Sequence, residues 1–385
     1  MTELVPLKHV ATVIAGQAPP SEQVLDLANG LPFVQGNAEF GVVSPTARYE
    51  CSTPSKIAQT GDILLSVRAP VGAMNVADQR YGIGRGLAAI RPTISNDARF
   101  VAYAIRANLQ YLHAASTGTT FAAISADDLR SLRIPLPPLQ EQRRIADFLD
   151  DQVTLLDRAI HLRQQQVALS RGRERALVRE IVAGSEDPSR DAPSDAPWIA
   201  RLHEQAEARP LGRTITLQRG VDLIADDRVE GVTPVVTTGG IAGYHNESIV
   251  GQSGVVIGRY GTVGSVFWVE GEHWPHNTTL YVKDYKGNLA KYVYYLLQAY
   301  PYERLQARAA VPGVNRNDMH RDLMPWLPLE LQAHAVSLLN DSMEKAAVLT
   351  RLMERSIGLL AERKQALITA AVTGEFDVAT ARSAA

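Results

Sequence analysis

The chain has 385 residues, 45% of them hydrophobic and 21% charged, which is enough apolar side chain for packed cores and too much length for one small domain. Its 39 Lys plus Arg stand against 41 Asp plus Glu for a net charge of -2, so the whole-chain basic footprint of an unaided nucleic-acid binder is missing. No apolar run approaches the roughly 18 residues of a membrane span, the N-terminus lacks a basic-then-apolar leader, and the single cysteine, Cys51, can form no internal disulfide. A cytoplasmic chain with no membrane segment is the expectation. The basic residues are 32 Arg and 7 Lys; Arg is the side chain that forks onto guanine edges and phosphates, and GC-rich codon usage produces the same bias.

In chain order, residues 1–138 read as a mixed domain. Short β-branched runs such as Ile63-Leu-Leu-Ser-Val67 alternate with Gly, Asn and Pro clusters, the pattern of strands and turns, and Ala98 to Leu112 is the best helix. Residues 139–184 contain no internal proline and read as one long helix. Its stripe is Leu149, Val153, Leu156, Ile160, Val167, Leu177 and Ile181, interrupted by Arg163, Ser170 and Glu174. Residues 185–204 are polar and proline-bearing, an exposed linker. Residues 205–328 form a second mixed domain, with Val255-Val-Ile257 and Ser265-Val-Phe-Trp-Val269 as strands and Leu289 to Leu305 as its helix. Residues 329–374 are a second long helix on which Leu339, Met343, Ala346, Met353, Ile357, Leu360, Leu367 and Ala371 keep 3–4 spacing, Thr350 and Lys364 filling the gaps; 375–385 is a short tail. Spacing of this kind over several heptads is that of a coiled coil. Pro138 and Pro328 suit the first helical turn, Gly184 and Gly374 the stop. At ~1.5 Å per residue each helix spans about 69 Å. Neither helix can bury its stripe alone, so the two pair with each other, the alternative being that each pairs with another protein's helix.

The chain repeats itself. With residues 139–184 placed over 329–374 at an offset of 190, 11 of 46 positions are identical, Gln142 with Gln332, Leu162 with Leu352 and Leu169 with Leu359 among them. Upstream, Gly61-Asp-Ile-Leu-Leu-Ser-Val-Arg68 resembles Gly254-Val-Val-Ile-Gly-Arg259 at offsets close to 192, and Pro6-Leu7 and Gly16 match Pro210-Leu211 and Gly220 at 204. Arg68 and Arg259 thereby follow the same strand. Each half is a domain followed by a helix.

Catalytic constellations are missing. There is no G-x-x-x-x-G-K-[ST] loop. Gly82-Ile-Gly84-Arg-Gly86 lacks the strand-then-helix setting and downstream acid of a dinucleotide site. His273-Trp-Pro-His276 has no third metal ligand at suitable spacing, and no Asn-Pro-Pro-Tyr-like segment offers an amino-methylating site for a flipped base.

Two stretches carry a resemblance. Ile134-Pro-Leu-Pro-Pro-Leu-Gln-Glu-Gln142 followed by Ile145-Ala146, and Glu362-Arg-Lys-Gln-Ala-Leu-Ile-Thr-Ala-Ala-Val-Thr-Gly374 followed by Phe376-Asp-Val378, closely resemble the conserved regions of the specificity (S) subunit of type I restriction-modification systems. Gly61 to Arg68 and Thr117-Gly-Thr119 look like its target-recognition domains. The second copy departs from the pattern, reading Gln332-Ala-His without the Glu-Gln pair, which weakens any role for Glu141 alone. The resemblance implies an α+β chain: two similar α/β target-recognition domains separated by two long helices forming an antiparallel coiled coil, with a pseudo-twofold internal repeat. It implies a non-catalytic reader of double-stranded DNA that contacts an asymmetric bipartite site and docks two methyltransferase subunits and, optionally, restriction or translocase subunits. The chain itself would hold no cofactor, S-adenosylmethionine belonging to the methylating partner. DNA-facing candidates are Gln35, Asn37, Arg68, Thr117, Gly118, Thr119 and Thr120 in the first domain. In the second they are Thr237, Thr238, Tyr244, His245, Asn246, Arg259, Asn315, Arg316 and Asn317. The rival readings are a coiled-coil scaffold whose globular ends bind proteins, and a DNA-modifying enzyme.

Overall fold

A computed structural model describes residues 3–108, 123–184, 201–260, 264–306 and 313–378, together with the backbone of 191–193. The chain divides into two compact units, one within Met1–Arg163 and Arg355–Ala385, the other within Gln164–Glu354. Unit 1 is built from β1 (Leu4–Pro6), β2 (Ala11–Ala15), β3 (Val24–Asp26), β4 (Pro32–Val34), β5 (Tyr49–Cys51), β6 (Ile57–Ala58), β7 (Ile63–Ser66), β8 (Met74–Val76), β9 (Tyr81–Ile83), β10 (Leu87–Pro92), α1 (Ala98–Ala107), α2 (Ala126–Ser131) and β11 (Arg133–Pro135), after which the long α3 (Leu139–Val182) begins. Strands β2-β10-β7-β8 make an antiparallel sheet, β3-β5-β4-β9-β6 make a mixed sheet in which β4 and β9 run parallel, and β1 closes on β11. Asp97 caps α1, accepting the Arg99 and Phe100 amides at 3.0 and 3.1 Å. The helix then buries Phe100, Val101, Ala104 and Ile105 in one core with Leu65 and Ile90 of the sheet.

Unit 2 repeats the plan. Its elements are β12 (Asp191–Pro193), β13 (Arg201–His203), β14 (Glu207–Pro210), α4 (Leu211–Thr214), β15 (Thr216–Arg219), β16 (Thr233–Thr237), β17 (Gly240–His245), β18 (Gly254–Gly258), β19 (Val266–Val269), β20 (Trp274–Pro275), β21 (Thr279–Asp284), α5 (Ala290–Ala299), α6 (Glu303–Gln306), α7 (Arg316–Arg321), β22 (Leu323–Trp326) and α8 (Leu329–Thr373). The sheet β15-β21-β18-β19 answers β2-β10-β7-β8, and β14-β22 answers β1-β11. The helix expected over Leu289 to Leu305 breaks after Ala299, because Tyr300 precedes Pro301 and is driven to an extended conformation (φ -62°, ψ 134°). The linker expected over 185–204 is also shorter: Arg201–His203 is a strand, and Leu202 packs against Ala183.

Each long helix contributes one half to each unit. In unit 1 the first turns of α3 run antiparallel to the last turns of α8. Ile145, Leu149 and Val153 share a core with Ile368, Ala371 and Val372, and Lys364 Nζ lies 2.6 Å from Asp157. In unit 2 Val178, Ile181 and Val182 meet Ala335 and Leu339, and Arg171 lies 2.9 Å from Glu354. The apolar stripe is the packed face throughout α8, every 3–4 position from Leu339 to Ala371 being buried or half-buried. On α3 the stripe is weaker: Leu149, Val153, Val167 and Ile181 are buried, Leu156, Ile160 and Leu177 half-buried, and Arg163 is exposed. Gly184 and Gly374 stop the helices with φ of 76° and 80°, the left-handed geometry that favours glycine.

A buried glutamine ties each long helix to its unit. Gln142 accepts the Asp97 amide at 2.9 Å and donates to Asn96 Oδ1 and the Pro137 carbonyl at 3.1 and 2.9 Å. Gln332 does the same with the Leu289 amide, Asn288 Oδ1 and the Leu327 carbonyl, at 3.0, 2.7 and 2.8 Å. Glu141, by contrast, pairs with Arg144, its own neighbour on the helix. Gln142→Leu and Gln332→Leu strand a buried amide and a buried carbonyl, so each is expected to destabilise its unit by about 2–5 kcal/mol. Denaturant unfolding should show this, with the exposed Gln140→Leu as the unaffected control.

Candidate nucleic-acid interface

Backbone hydrogen bonds align the two units without recourse to sequence identity. Gly16 and Gln17 donate to the Leu87 and Ile83 carbonyls, at 2.8 and 3.0 Å; Gly220 and Val221 donate to those of Thr279 and Pro275, at 3.1 and 2.9 Å. Gly84 donates to Val34 as His276 donates to Val236, both at 2.9 Å. The glycine-rich Gly82-Ile-Gly84-Arg-Gly86 of unit 1 and Trp274-Pro-His276-Asn-Thr278 of unit 2 are thus one loop in two versions. Gly16 and Gly220 are required by close approach: a Cβ would sit 2.1 Å from the Gly84 carbonyl oxygen in the first case and 2.2 Å from that of His276 in the second.

The same register corrects the pairing of the two arginines. Val67 donates to the Gly86 carbonyl and Arg259 to that of Thr278; Ile124 donates to Val67 and Val314 to Arg259, all at 2.9–3.0 Å. Arg259 therefore corresponds to Val67, and Arg68 to Tyr260. The two arginines are one position apart, which in an extended chain exchanges faces. Arg68 is exposed. Arg259 is half-buried and lies 4.7 Å over the Tyr260 ring. Its Nε donates to the Val314 carbonyl at 3.3 Å, Nη1 to the Asn277 carbonyl at 3.4 Å and Nη2 to the Tyr260 hydroxyl at 3.0 Å. Among the described residues, three of the five guanidinium N–H groups find acceptors.

Around these positions the loops converge. In unit 2 Thr238 Oγ1 donates to the Tyr260 carbonyl at 2.6 Å, and Arg219 Nε shares the Asn277 carbonyl at 3.3 Å. The turn after β16, the end of β18, the loop after β20 and the approach to α7 are so joined in one polar rim. In unit 1 the rim is closed by glycine: a Cβ on Gly86 would lie 2.5 Å from the Gln35 carbonyl oxygen, so the segments after β4 and before β10 press together, with Arg85 exposed beside Gly86 and Arg68 next to Val67, which Gly86 holds.

The remaining candidates separate. Asn37 is half-buried in the turn after β4. Thr237 Oγ1 is turned back onto the Gly240 carbonyl at 3.0 Å. Tyr244 and Asn246 are exposed on β17 and just beyond it. His245 between them is buried, its Nδ1 accepting the Val229 amide at 3.1 Å and its ring edge-on to Trp274, so it props the hairpin from inside. Asn315 caps α7 by accepting the Asn317 amide at 2.9 Å, with Arg316 and Asn317 exposed. Thr117, Gly118, Thr119 and Thr120 lie outside the described residues. Sequence reasoning missed Arg85, Arg219, Tyr260 and Asn277; the offset of 192 in the β7/β18 strand would have found Tyr260.

Among the described residues no group of three or more His, Cys, Asp and Glu side chains could hold a metal ion, and no helix is long and apolar enough to cross a membrane. His273 is buried against the Gly271 carbonyl at 3.0 Å, and burial holds its pKa below the ordinary imidazole value. His276 faces Asp222 at 3.4 Å.

Residues 2–167 match the family described as the type I restriction modification DNA specificity domain. The chain is 44% identical over 141 residues to the type I restriction enzyme MjaX specificity subunit of Methanocaldococcus jannaschii, covering 36% of this chain and 32% of that one. It is 28% identical over 150 residues to the MjaIX specificity subunit of the same organism, covering 35% and 34%. Each match spans about a third of the relative's length. A solved structure from work on complex assembly and conformational transition of the type I R-M system has the same fold over 96% of this chain and 97% of that one, with a TM-score of 0.70 and 16% identity. Residues 2–167, a little under half of the chain, are thus similar to the type I restriction modification DNA specificity domain, and over nearly its whole length the chain shares the fold of a solved type I R-M structure.

The two glycine contacts give a stability test. Gly16→Ala and Gly220→Ala should each cost about 1–3 kcal/mol or more, because the obstructing atoms are backbone. Gly172→Ala, exposed within α3 with nothing near its Cβ, should instead stabilise by up to about 1 kcal/mol. Thermal melts of the three variants distinguish these outcomes.

Proposed function

We propose that this chain is the sequence-reading subunit of a type I restriction-modification complex, each unit reading one half of an asymmetric bipartite DNA site while the chain itself does no chemistry on the DNA. The observation that carries the reading is a shared frame with divergent rims. The same loops meet at the same place on the same sheet in both units, but one rim presents Gln35, Arg68 and Arg85, and the other Thr238, Arg259, Tyr260 and Arg219. Equal frames with unequal donors suit two half-sites of unlike sequence. Among the described residues no carbonyl ties Arg68 or Arg85 as Arg259 is tied, and both suit phosphate or guanine contact. The Arg259 guanidinium, so tied, suits a single base or phosphate oxygen held in fixed geometry.

The long helices support the docking of two methyltransferase subunits, which would bring S-adenosylmethionine, and optionally of restriction subunits. Beyond the packed stripe, Leu155, Leu162 and Leu169 are 61%, 50% and 68% exposed on α3, and Leu352 and Leu359 are 58% and 56% exposed on α8. They recur at heptad spacing on each helix. Two positions are identical between the copies, so both methylating subunits would meet the same leucine pair. The net charge of -2 makes tight DNA binding dependent on the partners' positive surface.

The test is gel-shift with the chain and its methylating partner over a randomised duplex library. The expected outcome is one bipartite motif, with affinity falling steeply with salt. Arg68→Ala should weaken binding about tenfold without lowering the melting temperature, whereas Arg259→Ala should lower both. Equal affinity for every duplex would overturn the reading. For docking, Leu162→Ser with Leu352→Ser should abolish co-purification of the methylating subunit while leaving helix content by circular dichroism intact.

A further inference from the structure

Away from the loop rim, helix α1 and strands β7 and β8 of unit 1 enclose an open cavity of about 270 Å³, below the usual range for a drug-sized ligand. Ile63, Val76 and Ala102 form its apolar wall, and Arg99, Arg106 and Asp150 stand at its mouth. Val76 remains 41% exposed there, on an edge strand.

The repeat shows what such a groove accommodates. Val76 pairs with Ile63 as Trp268 pairs with Val255. Helices α1 and α5 are both ten residues long, and the hydroxyls of Tyr103 and Tyr295 reach Asp150 and Asn340 at 2.8 Å each. Arg99 therefore corresponds to Lys291 and Ala102 to Tyr294. In unit 2 the groove is occupied by the chain's own indole. Lys291 Nζ lies 3.9 Å from the Trp268 ring centroid, Tyr294 packs against that ring at 6.1 Å, and Trp268 Nε1 donates to Glu270 at 2.5 Å. Unit 1 keeps the cation and loses both rings. Arg99 is held at the mouth by Asp147 and Asp150, at 2.9 and 2.7 Å, a planar cation with its face available for stacking. Asp150, which holds the place of Asn340 rather than that of Glu270, lines the groove with its carboxylate acceptors.

We propose that this groove in unit 1 receives a tryptophan side chain from a protein partner, supplying from outside the ring that Trp268 supplies from within in unit 2. The site is separate from the DNA-facing rim and does not rest on that reading. The ring would lie on Val76 and Ala102, stack under the Arg99 guanidinium and direct its N–H to Asp150.

The probe is N-acetyltryptophanamide, titrated against the full chain by saturation-transfer NMR. Expected are weak saturable binding to the wild type and a loss of about tenfold or more in Val76→Trp, which builds the missing ring in place. Ala102→Tyr, which fills the same space from the helix, should lose binding equally and decides the matter if Val76→Trp fails to give a single cooperative unfolding transition. The proposal is overturned if the wild type shows no saturable binding, or if a folded variant binds the probe as the wild type does. It is also overturned if free indole binds more than tenfold tighter than the amide, since the groove would then reject a ring carried on a peptide.

Discussion

The structure depends on one buried amide side chain used twice. A glutamine in the first turn of a long helix has its donor and acceptor ends both satisfied by its own unit, so the helix cannot leave in any other direction without stranding polar atoms out of reach of water. Gln142 and Gln332 are 1% and 0% exposed. Apolar packing alone, such as the cores that Leu149 shares with Ile368 and Leu339 with Val178, carries no direction. The amide bonds do. Fixing the helix start also fixes α1 and α5, because the glutamine holds the amide at the head of each. The sheet domain and the helix pair are thereby one construction in each unit.

On that common frame the two rims are closed by opposite means. Unit 1 brings Gln35 against Gly86 by removing a side chain, so its rim is held by backbone and its arginines are left outside. Unit 2 places Arg259 where unit 1 has Val67 and uses the guanidinium to tie the end of β18 to the Val314 and Asn277 carbonyls and the Tyr260 hydroxyl. Glycine closure gives a compact rim with adaptable side chains on it. Arginine closure gives a rim whose chief cation is rigid. A frame that accepts either can change what its loops present without disturbing the buried strands beneath.

The repeat and the helix stripe were legible in the amino-acid sequence because they depend on positions where only one residue type works: the clamp glutamines, the helix-stopping glycines, and Gly16 with Gly220 at backbone contact. The pairing of Arg68 with Arg259 was misleading for the converse reason. Both residues are arginine, and an offset of 191 aligns them, but the strand they follow is in register at 192, and a slip of one residue leaves hydrophobic strands looking equally well matched. Gly82 to Gly86 and His273 to His276 looked like two unrelated motifs, since loops that share a hydrogen-bond pattern need share no side chain. His245 read as a donor on a polar loop; its burial against Trp274 comes from the hairpin's fold across Val229, which no local pattern encodes.

The middle of the helix pair follows a different balance from its ends. At the ends, Leu149 and Leu339 are fully buried because each unit's sheet domain closes over them. Further along, Leu156, Ile160, Met353 and Ile357 are only half-buried, and α3 places Arg163, Ser170 and Glu174 on its stripe. Two helices sharing a half-buried seam gain little per turn, since burial of a leucine contributes about 1.5–3 kcal/mol only when it is complete. Leucines at heptad spacing on a second, exposed face are therefore not explained by the pair itself: they raise the cost of solvating it. They are the surface that the proposed docking of partner subunits would use, a helix packed alongside completing their burial.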